Sequence, residues 1–147
     1  MSIFKDIFMD KAAFSFESYS FNKVNIDFEL NTVSDLQIEF YPSGVFRQTD
    51  SDSLFEMRVI FSAVDKCSGK EFIKIECNAI FRFSSRIEFD EIPLFFYGNS
   101  IAILFPYIRS FVSTLTLQAN FPPLVLPTLN LLHLAEPLRK NTVKFKS

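Results

Sequence analysis

Apolar and polar residues alternate along most of the first two-thirds of the chain. In residues 73–83, apolar side chains at the odd positions alternate with Lys74, Glu76, Asn78 and Arg82. A period of two is typical of a β-strand with one buried and one solvent-facing side, and several such strands predict an antiparallel sheet covered on one face. The predicted strands are 24–30, 36–40, 55–63 and 73–83, and the turns that separate them are 31–35, 42–44, 50–53 and 67–70.

The first strand is expected to extend toward the N-terminus. Phe14, Phe16, Tyr19 and Phe21 continue its apolar side, with a change of register near Ser20. The sheet then has four principal strands, three of them joined in simple meander order.

The pattern changes after Ser84. Residues 99–118 carry apolar side chains three and four positions apart, which is typical of one broad face of an α-helix. Pro106 favours a first-turn position, so the straight helix is expected to begin near Leu104. The apolar tail 121–135 is expected to pack as an extended segment plus a turn of helix. Strands first and a helix last predict an α+β fold, a four-stranded antiparallel sheet with a long helix on one face.

Length and composition predict one globular domain. The chain has 147 residues and includes 20 Phe but no Trp. We expect less ordered ends at 1–12 and 136–147. A net charge of −2 and a pI of 5.4 give no basic patch for nucleic acid. Between residues 92 and 135 Arg109 is the only charged residue, but the prolines within that stretch disfavour a membrane-spanning helix.

The cysteines and the N-terminus indicate a cytoplasmic protein. Cys67 and Cys77 flank a predicted hairpin whose turn places them out of register, so we expect two free thiols in a reducing compartment. The first residues lack the uninterrupted apolar region of a signal peptide.

The sequence offers no set of residues for catalysis or metal binding. His133 is the only histidine, and it lies among leucines without an accompanying nucleophile motif. Two cysteines and one histidine cannot close a tetrahedral metal site. Gly69-Lys70 lacks the upstream glycines of a phosphate-binding loop. We therefore expect neither an enzyme nor a cofactor.

Two apolar motifs resemble the SecB export chaperones. The first is Ile103-Leu104-Phe105-Pro106-Tyr107-Ile108-Arg109, and the second is Phe121-Pro122-Pro123-Leu124-Val125-Leu126, which continues through Leu129-Asn130-Leu131. Upstream, Ile80-Phe81-Arg82-Phe83 is similar to the end of the family's fourth strand. The family's pattern also has a proline in this region, and in this chain it is displaced by one position, to Pro127.

The resemblance implies a dimer of dimers that holds unfolded polypeptides in apolar grooves and passes them to the SecA motor. A relative that serves another client, such as an antitoxin, would keep the groove without the acidic face on which SecA docks. Lys74 stands where that face has an acid, and the tail is basic, so SecA is a doubtful partner. The implied client-binding residues are Leu30, Val33, Leu36, Phe121, Leu124, Leu126 and Leu129. The implied assembly residues on the helix are Ile101, Leu104, Phe105, Ile108, Phe111, Val112 and Leu115, and the acids left for docking are Glu29 and Glu76.

Two functions follow as hypotheses. The first is a SecB-like chaperone that holds unfolded or partly folded polypeptides, for export or for another client such as an antitoxin. The second is a domain that binds a small apolar ligand, such as a lipid, in a closed cavity lined by phenylalanines. For each candidate groove residue, packing against the helix is an equally good interpretation.

Overall fold

A five-stranded sheet carries one long helix on a single face. The structure is a computed structural model, and it describes residues 13–28 and 35–146. The strand order is β1-β4-β3-β2-β5. The strands are β1 (Phe14–Ile26), β2 (Leu36–Gln48), β3 (Ser53–Asp65), β4 (Glu71–Phe83) and β5 (Thr142–Lys146); the helices are α1 (Leu94–Gln118) and α2 (Ala135–Lys140), with 3-10 turns at Phe89–Glu91 and Leu132–Leu134.

The predicted α+β class and meander are confirmed. Strands β2, β3 and β4 pair antiparallel in sequence order, and β1 pairs antiparallel with β4 along the edge that does not face β3. The register of β1 shifts between Phe16 and Ser18 and again between Phe21 and Lys23, on either side of the expected change at Ser20. Strand β1 ends at Ile26, so Phe28 lies beyond it.

The core lies between α1 and the inner face of the sheet, and Phe96 is at its centre. The Phe96 ring has 0% exposure and lies 4.8 Å from Phe14, 4.8 Å from Phe55 and 4.9 Å from Phe83, between ring centroids. Most of these contacts are edge-on or tilted, the arrangements that the aromatic quadrupole favours. One helical side chain therefore contacts three neighbouring strands of the sheet, β1, β4 and β3.

Helix α1 begins ten residues earlier than the predicted start at Leu104. It starts at Leu94, so Pro106 lies in its interior. An internal proline costs about 3 kcal/mol because it removes a helical hydrogen bond. Burial of large side chains on the sheet, at about 1.5–3 kcal/mol each, offsets that cost, and Phe96, Tyr97 and Ile101 are all buried. By length and a mean hydropathy of 1.4 the helix could also cross a membrane, but here its apolar face packs on the sheet.

Strand β2 continues through the predicted turn at 42–44. The Gly44 N–H points away from β3 and donates to Asn141 O at 3.2 Å. Groups two residues apart in a strand point the same way, so the nitrogen of Pro42 faces the same side and its missing N–H costs no bond to β3. Proline is thus tolerated because β2 has no strand beside it at that point in the described chain.

The C-terminal segment forms a helix and a strand where a less ordered end was expected. Strand β5 pairs parallel with β2 from Gly44 to Gln48. The Thr142 hydroxyl donates to Leu138 O at 2.6 Å, and the Arg47 guanidinium lies 4.2 Å from the centroid of Phe145. These contacts and the parallel pairing hold the segment in place. Residues 1–12 lie outside the described residues.

Both cysteines are free thiols, as predicted. Cys67 is exposed, whereas Cys77 is buried in the core, where burial raises the pKa of its thiol to about 12. The buried thiol is therefore protonated and serves as a small apolar side chain.

We expect Gly44→Ala to destabilise the fold and Gly98→Ala to stabilise it. A Cβ at Gly44 would lie 2.9 Å from Thr142 Oγ1 and closer still to the Phe55 ring, whereas a Cβ at Gly98, inside α1, would lie 3.4 Å from its nearest neighbour, Leu132 Cδ2. Overpacking costs about 1–3 kcal/mol, and alanine in a helix gains up to about 1 kcal/mol over glycine. Urea unfolding followed by circular dichroism measures both, and equal stabilities would contradict the close approach at Gly44.

Candidate client-binding cleft

An apolar cleft lies between the edge of β2 and the tail that follows α1. Its volume is about 370 Å³, within the roughly 300–1,000 Å³ of typical ligand sites. Tyr41 is 53% exposed at its rim. We call this site the β2 cleft; its lining consists of Ile38, Glu39, Phe40 and Tyr41 from β2 and Leu129, Asn130, Leu131, His133 and Leu134 from the tail.

The groove residues implied by the resemblance do not all meet in this cleft. Leu129 lines it, and Leu36 begins the strand that forms its other wall. Phe121 is 40% exposed and stacks on Phe28, with ring centroids 4.6 Å apart. Leu124 is partly buried, and Leu126 is 1% exposed. Leu126 is therefore a core residue that offers no accessible surface. Leu30 and Val33 lie outside the described residues.

Sequence reasoning missed most of the cleft. Ile38 and Phe40 lie in a predicted strand, Leu131 in the second motif and Leu134 in the apolar tail, and none of them was predicted to bind a client. The missing signal was long-range: β2 is an edge strand over this stretch, so its apolar side chains are not fully covered, and both Ile38 and Phe40 remain partly exposed. The one local signal for an edge strand was Pro42, because proline within a strand is confined to edges, but the residues around it were interpreted as a turn at 42–44.

Thr116 and Ser113 on α1 anchor the start of the tail. The Thr116 hydroxyl is 1% exposed; it accepts a bond from Leu124 N at 2.9 Å and has Val112 O at 3.0 Å as an acceptor. The Ser113 hydroxyl donates to Leu124 O at 2.8 Å. The two side chains satisfy both backbone groups of Leu124, so the path of the tail toward the cleft is fixed by hydrogen bonds.

A polar strip lies on the outer side of the β2 edge. The Tyr41 hydroxyl donates to Glu39 Oε2, and Gln37 Nε2 donates to Glu39 Oε1 at 2.8 Å. The hydrogen bond to Glu39, more than burial, raises the pKa of Tyr41. Successive residues of β2 therefore give the edge an apolar inner side and an acidic outer side.

Comparison with known proteins identifies the family. A family model described as preprotein translocase subunit SecB matches residues 12–138. The chain belongs to the SecB family.

Individual relatives agree over parts of their length. The SecB export protein of Thiobacillus denitrificans is 29% identical over 96 residues, which cover 64% of this chain and 62% of that protein. An uncharacterised protein of Methanocaldococcus jannaschii is 42% identical over 59 residues, 37% of this chain and 38% of that protein. The chain thus spans less than two thirds of these curated relatives.

A solved structure shows the same fold. The SecB-like chaperone of Mycobacterium tuberculosis, in complex with a ChAD peptide from the HigA1 antitoxin, superposes with a TM-score of 0.58 and 21% identity, over 79% of this chain and 87% of that one. At this identity the likeness establishes the fold of this SecB-family chain.

The helix residues implied for assembly face the chain's own sheet. Five of the seven are buried in the core, and Phe111 and Leu115 are partly buried. Phe105 packs on Phe40 with ring centroids 5.8 Å apart, and Phe111 stacks on Phe21 at 3.9 Å. These side chains stabilise the single chain and leave little surface for a second copy. The five buried residues are Ile101, Leu104, Phe105, Ile108 and Val112.

Several acidic residues on the outer face of the sheet form ion pairs with basic side chains. Glu76 forms an ion pair with Arg58 and a second with Lys23 at 3.6 Å, and its side chain is 11% exposed. The hydrogen bond from Arg58 is the main cause that lowers the pKa of Glu76. Arg82 likewise lies 2.9 Å from Glu17 and 2.9 Å from Asp52. Glu29 lies outside the described residues.

No group of three or more His, Cys, Asp or Glu side chains within 13–28 and 35–146 is arranged to hold a metal ion. His133 is exposed, and its Nδ1 lies 3.1 Å from Asn130 O, so it has a local partner in the tail. The side chains that line the β2 cleft are mostly apolar.

We expect Thr116→Val to loosen the tail more than Ser113→Ala does. Valine has nearly the shape of threonine but leaves the Leu124 N–H without its acceptor, which costs about 1–3 kcal/mol for a buried group. Ser113 is partly exposed, so water replaces its hydroxyl at lower cost. Thermal unfolding and limited proteolysis near residue 124 measure the difference. Equal stability of the two variants would contradict the anchoring role of Thr116.

Proposed function

We propose that this SecB-family protein is a chaperone that holds unfolded or partly folded polypeptides in the β2 cleft. The observation that carries the proposal is the position of the cleft, an apolar site on an exposed strand edge. Apolar contact is non-directional, so such a site accepts many side chains.

The related structure supports a peptide as the kind of client. The Mycobacterium tuberculosis protein was solved with a ChAD peptide from an antitoxin, and the T. denitrificans relative is named for protein export. An unfolded segment from an exported protein or from an antitoxin has the same chemistry, an extended chain with apolar side chains. Two free thiols agree with action in the cytoplasm.

The packing of the core favours this proposal over a closed site for a small ligand. The phenylalanines of the inner face contact one another, as the Phe96 cluster does, and so fill the space that a bound lipid would need. The β2 cleft opens to solvent along the sheet edge, a shape suited to a chain that enters and leaves.

We also propose that the protein assembles through the outward surface of α1 and β1. Tyr19 is 43% exposed and Tyr107 is 39% exposed, with ring centroids 4.5 Å apart, and Val24 is 43% exposed on the same side of the sheet. An apolar surface of this kind on one face is suited to a symmetric contact between copies, which the dimer of dimers of the family would use. On the outer face of the sheet, Glu76 is paired with Arg58 and Lys23, which argues against SecA docking there.

We expect Leu129→Asp to weaken client binding about tenfold or more, because a charge in the cleft opposes burial of a client side chain worth about 1.5–3 kcal/mol. Leu132→Asp is the matched control, since Leu132 lies in the same tail but is 64% exposed and outside the cleft lining. Fluorescence anisotropy with a labelled unfolded peptide measures affinity, and light scattering of an aggregating client measures holding activity. If both variants bind like the unmodified protein, the cleft is not the client site.

We expect Tyr107→Lys to lower the oligomeric mass while the chain stays folded. Leu117→Lys is its control on the same helix, because Leu117 is 57% exposed away from the Tyr19 contact. Ile108→Lys should unfold the chain instead, since Ile108 is 2% exposed. Size-exclusion chromatography with light scattering gives the mass. An unchanged mass for Tyr107→Lys would refute this interface.

A further inference from the structure

The start of α1 presents apolar side chains that the described part of the chain leaves exposed. Leu94 and Phe95 are 54% and 49% exposed, and Leu132 in the tail is 64% exposed. Leu132 lies over Gly98, because a Cβ at Gly98 would be 3.4 Å from Leu132 Cδ2. Residues three and four apart share one side of a helix, so Leu94, Phe95 and Leu132 lie on the same side of α1. We call these three residues the α1 strip.

Phe95 is the exception among the phenylalanines of α1. The other three, Phe96, Phe105 and Phe111, each pack on a phenylalanine of the sheet, with ring centroids 3.9 to 5.8 Å apart. Within residues 13–28 and 35–146, Phe95 has no ring partner. Its ring therefore keeps apolar area in water that contact with a further segment would remove.

The described part of the chain begins beside this strip. The Ala13 carbonyl accepts a hydrogen bond from Ser84 N at 2.7 Å. The next residue, Phe14, lies 4.8 Å from Phe96 between ring centroids, and Phe96 directly follows Phe95 in α1. The residues that precede Ala13 therefore join the sheet next to the α1 strip.

The sequence of residues 1–12 matches an apolar surface of this kind. Four apolar residues recur there three and four positions apart, a spacing that is typical of one side of a helix. They are Ile3, Phe4, Ile7 and Phe8. Phe8 precedes Ala13 by five residues, which can span up to about 17 Å, so the strip is within reach of its side chain.

The charges beside the strip complement those of the same segment. Asp90 lies in the 3-10 turn that leads into α1; it is exposed and has no ion pair among the residues that the structure describes. Lys5 and Lys11 lie among and after the apolar residues of the segment. Exposed ion pairs contribute little to stability, so charge would orient the segment while apolar contact would hold it.

We propose that residues 3–8 dock on the α1 strip of their own chain, with their apolar side chains against Leu94 and Phe95. Neither of these two residues lines the β2 cleft, so the inference goes beyond the proposed chaperone function. The contact covers an apolar surface through which separate copies would otherwise associate.

A tryptophan at position 95 reports on this contact, because the chain has no Trp of its own. In the full-length Phe95→Trp protein, we expect Phe8→Asp to shift the tryptophan emission to longer wavelength and to increase its quenching by acrylamide. Met9→Asp is the matched control, since it adds the same charge on the next residue, outside the apolar spacing. It should leave emission and quenching unchanged. Circular dichroism checks that each variant keeps the native fold.

A second variant tests whether the contact follows the apolar spacing. Phe4→Asp lies four residues before Phe8 and should give the same change in emission and quenching. Equal changes with Phe8→Asp and Met9→Asp, or no change with Phe8→Asp, would show that the apolar residues of the segment do not cover the strip.

Refolding a mixture separates docking within one chain from docking between copies. The protein with both Phe95→Trp and Phe8→Asp is refolded with an excess of the native chain, which has an intact segment and no Trp. If each segment docks on its own chain, the emission stays at longer wavelength. A return to shorter wavelength would mean that the strip receives the segment of a second copy, and docking within the chain would be wrong.

Discussion

The contact of Phe96 with the inner face of the sheet is the interaction on which the rest of the structure depends. It brings a 0% exposed ring against strands β1, β3 and β4 at once and so fixes α1 over the sheet despite the internal Pro106. With one face covered in this way, the other must be hydrated, which explains why ion pairs such as Arg58–Glu76 lie on it. The direction of α1 in turn determines where the tail leaves the helix.

The β2 cleft is a consequence of that direction. Thr116 and Ser113 bind the backbone of Leu124 near the end of α1, and the tail then returns along β2. Because β5 starts only at Thr142, opposite Gly44, the first half of β2 remains an edge. Pro42 and Gly44 mark the boundary: one has no N–H to offer, and the other permits the close approach of Phe55 and Thr142. Apolar cleft and open edge therefore coincide for one structural reason.

Sequence reasoning reached the sheet, the long helix and the family, because these depend on local period and on motifs such as 103–109. It failed where a long-range contact overrides local preference. Phe96 burial extends α1 past Pro106, and pairing with β2 orders 142–146, which local composition describes only as a basic tail. The same limit applies to the site. Ile101 and Leu126 are apolar, as residues at a contact surface often are, but they lie in the core. Ile38 and Phe40 are accessible only because the strand order leaves their part of β2 at the edge of the sheet.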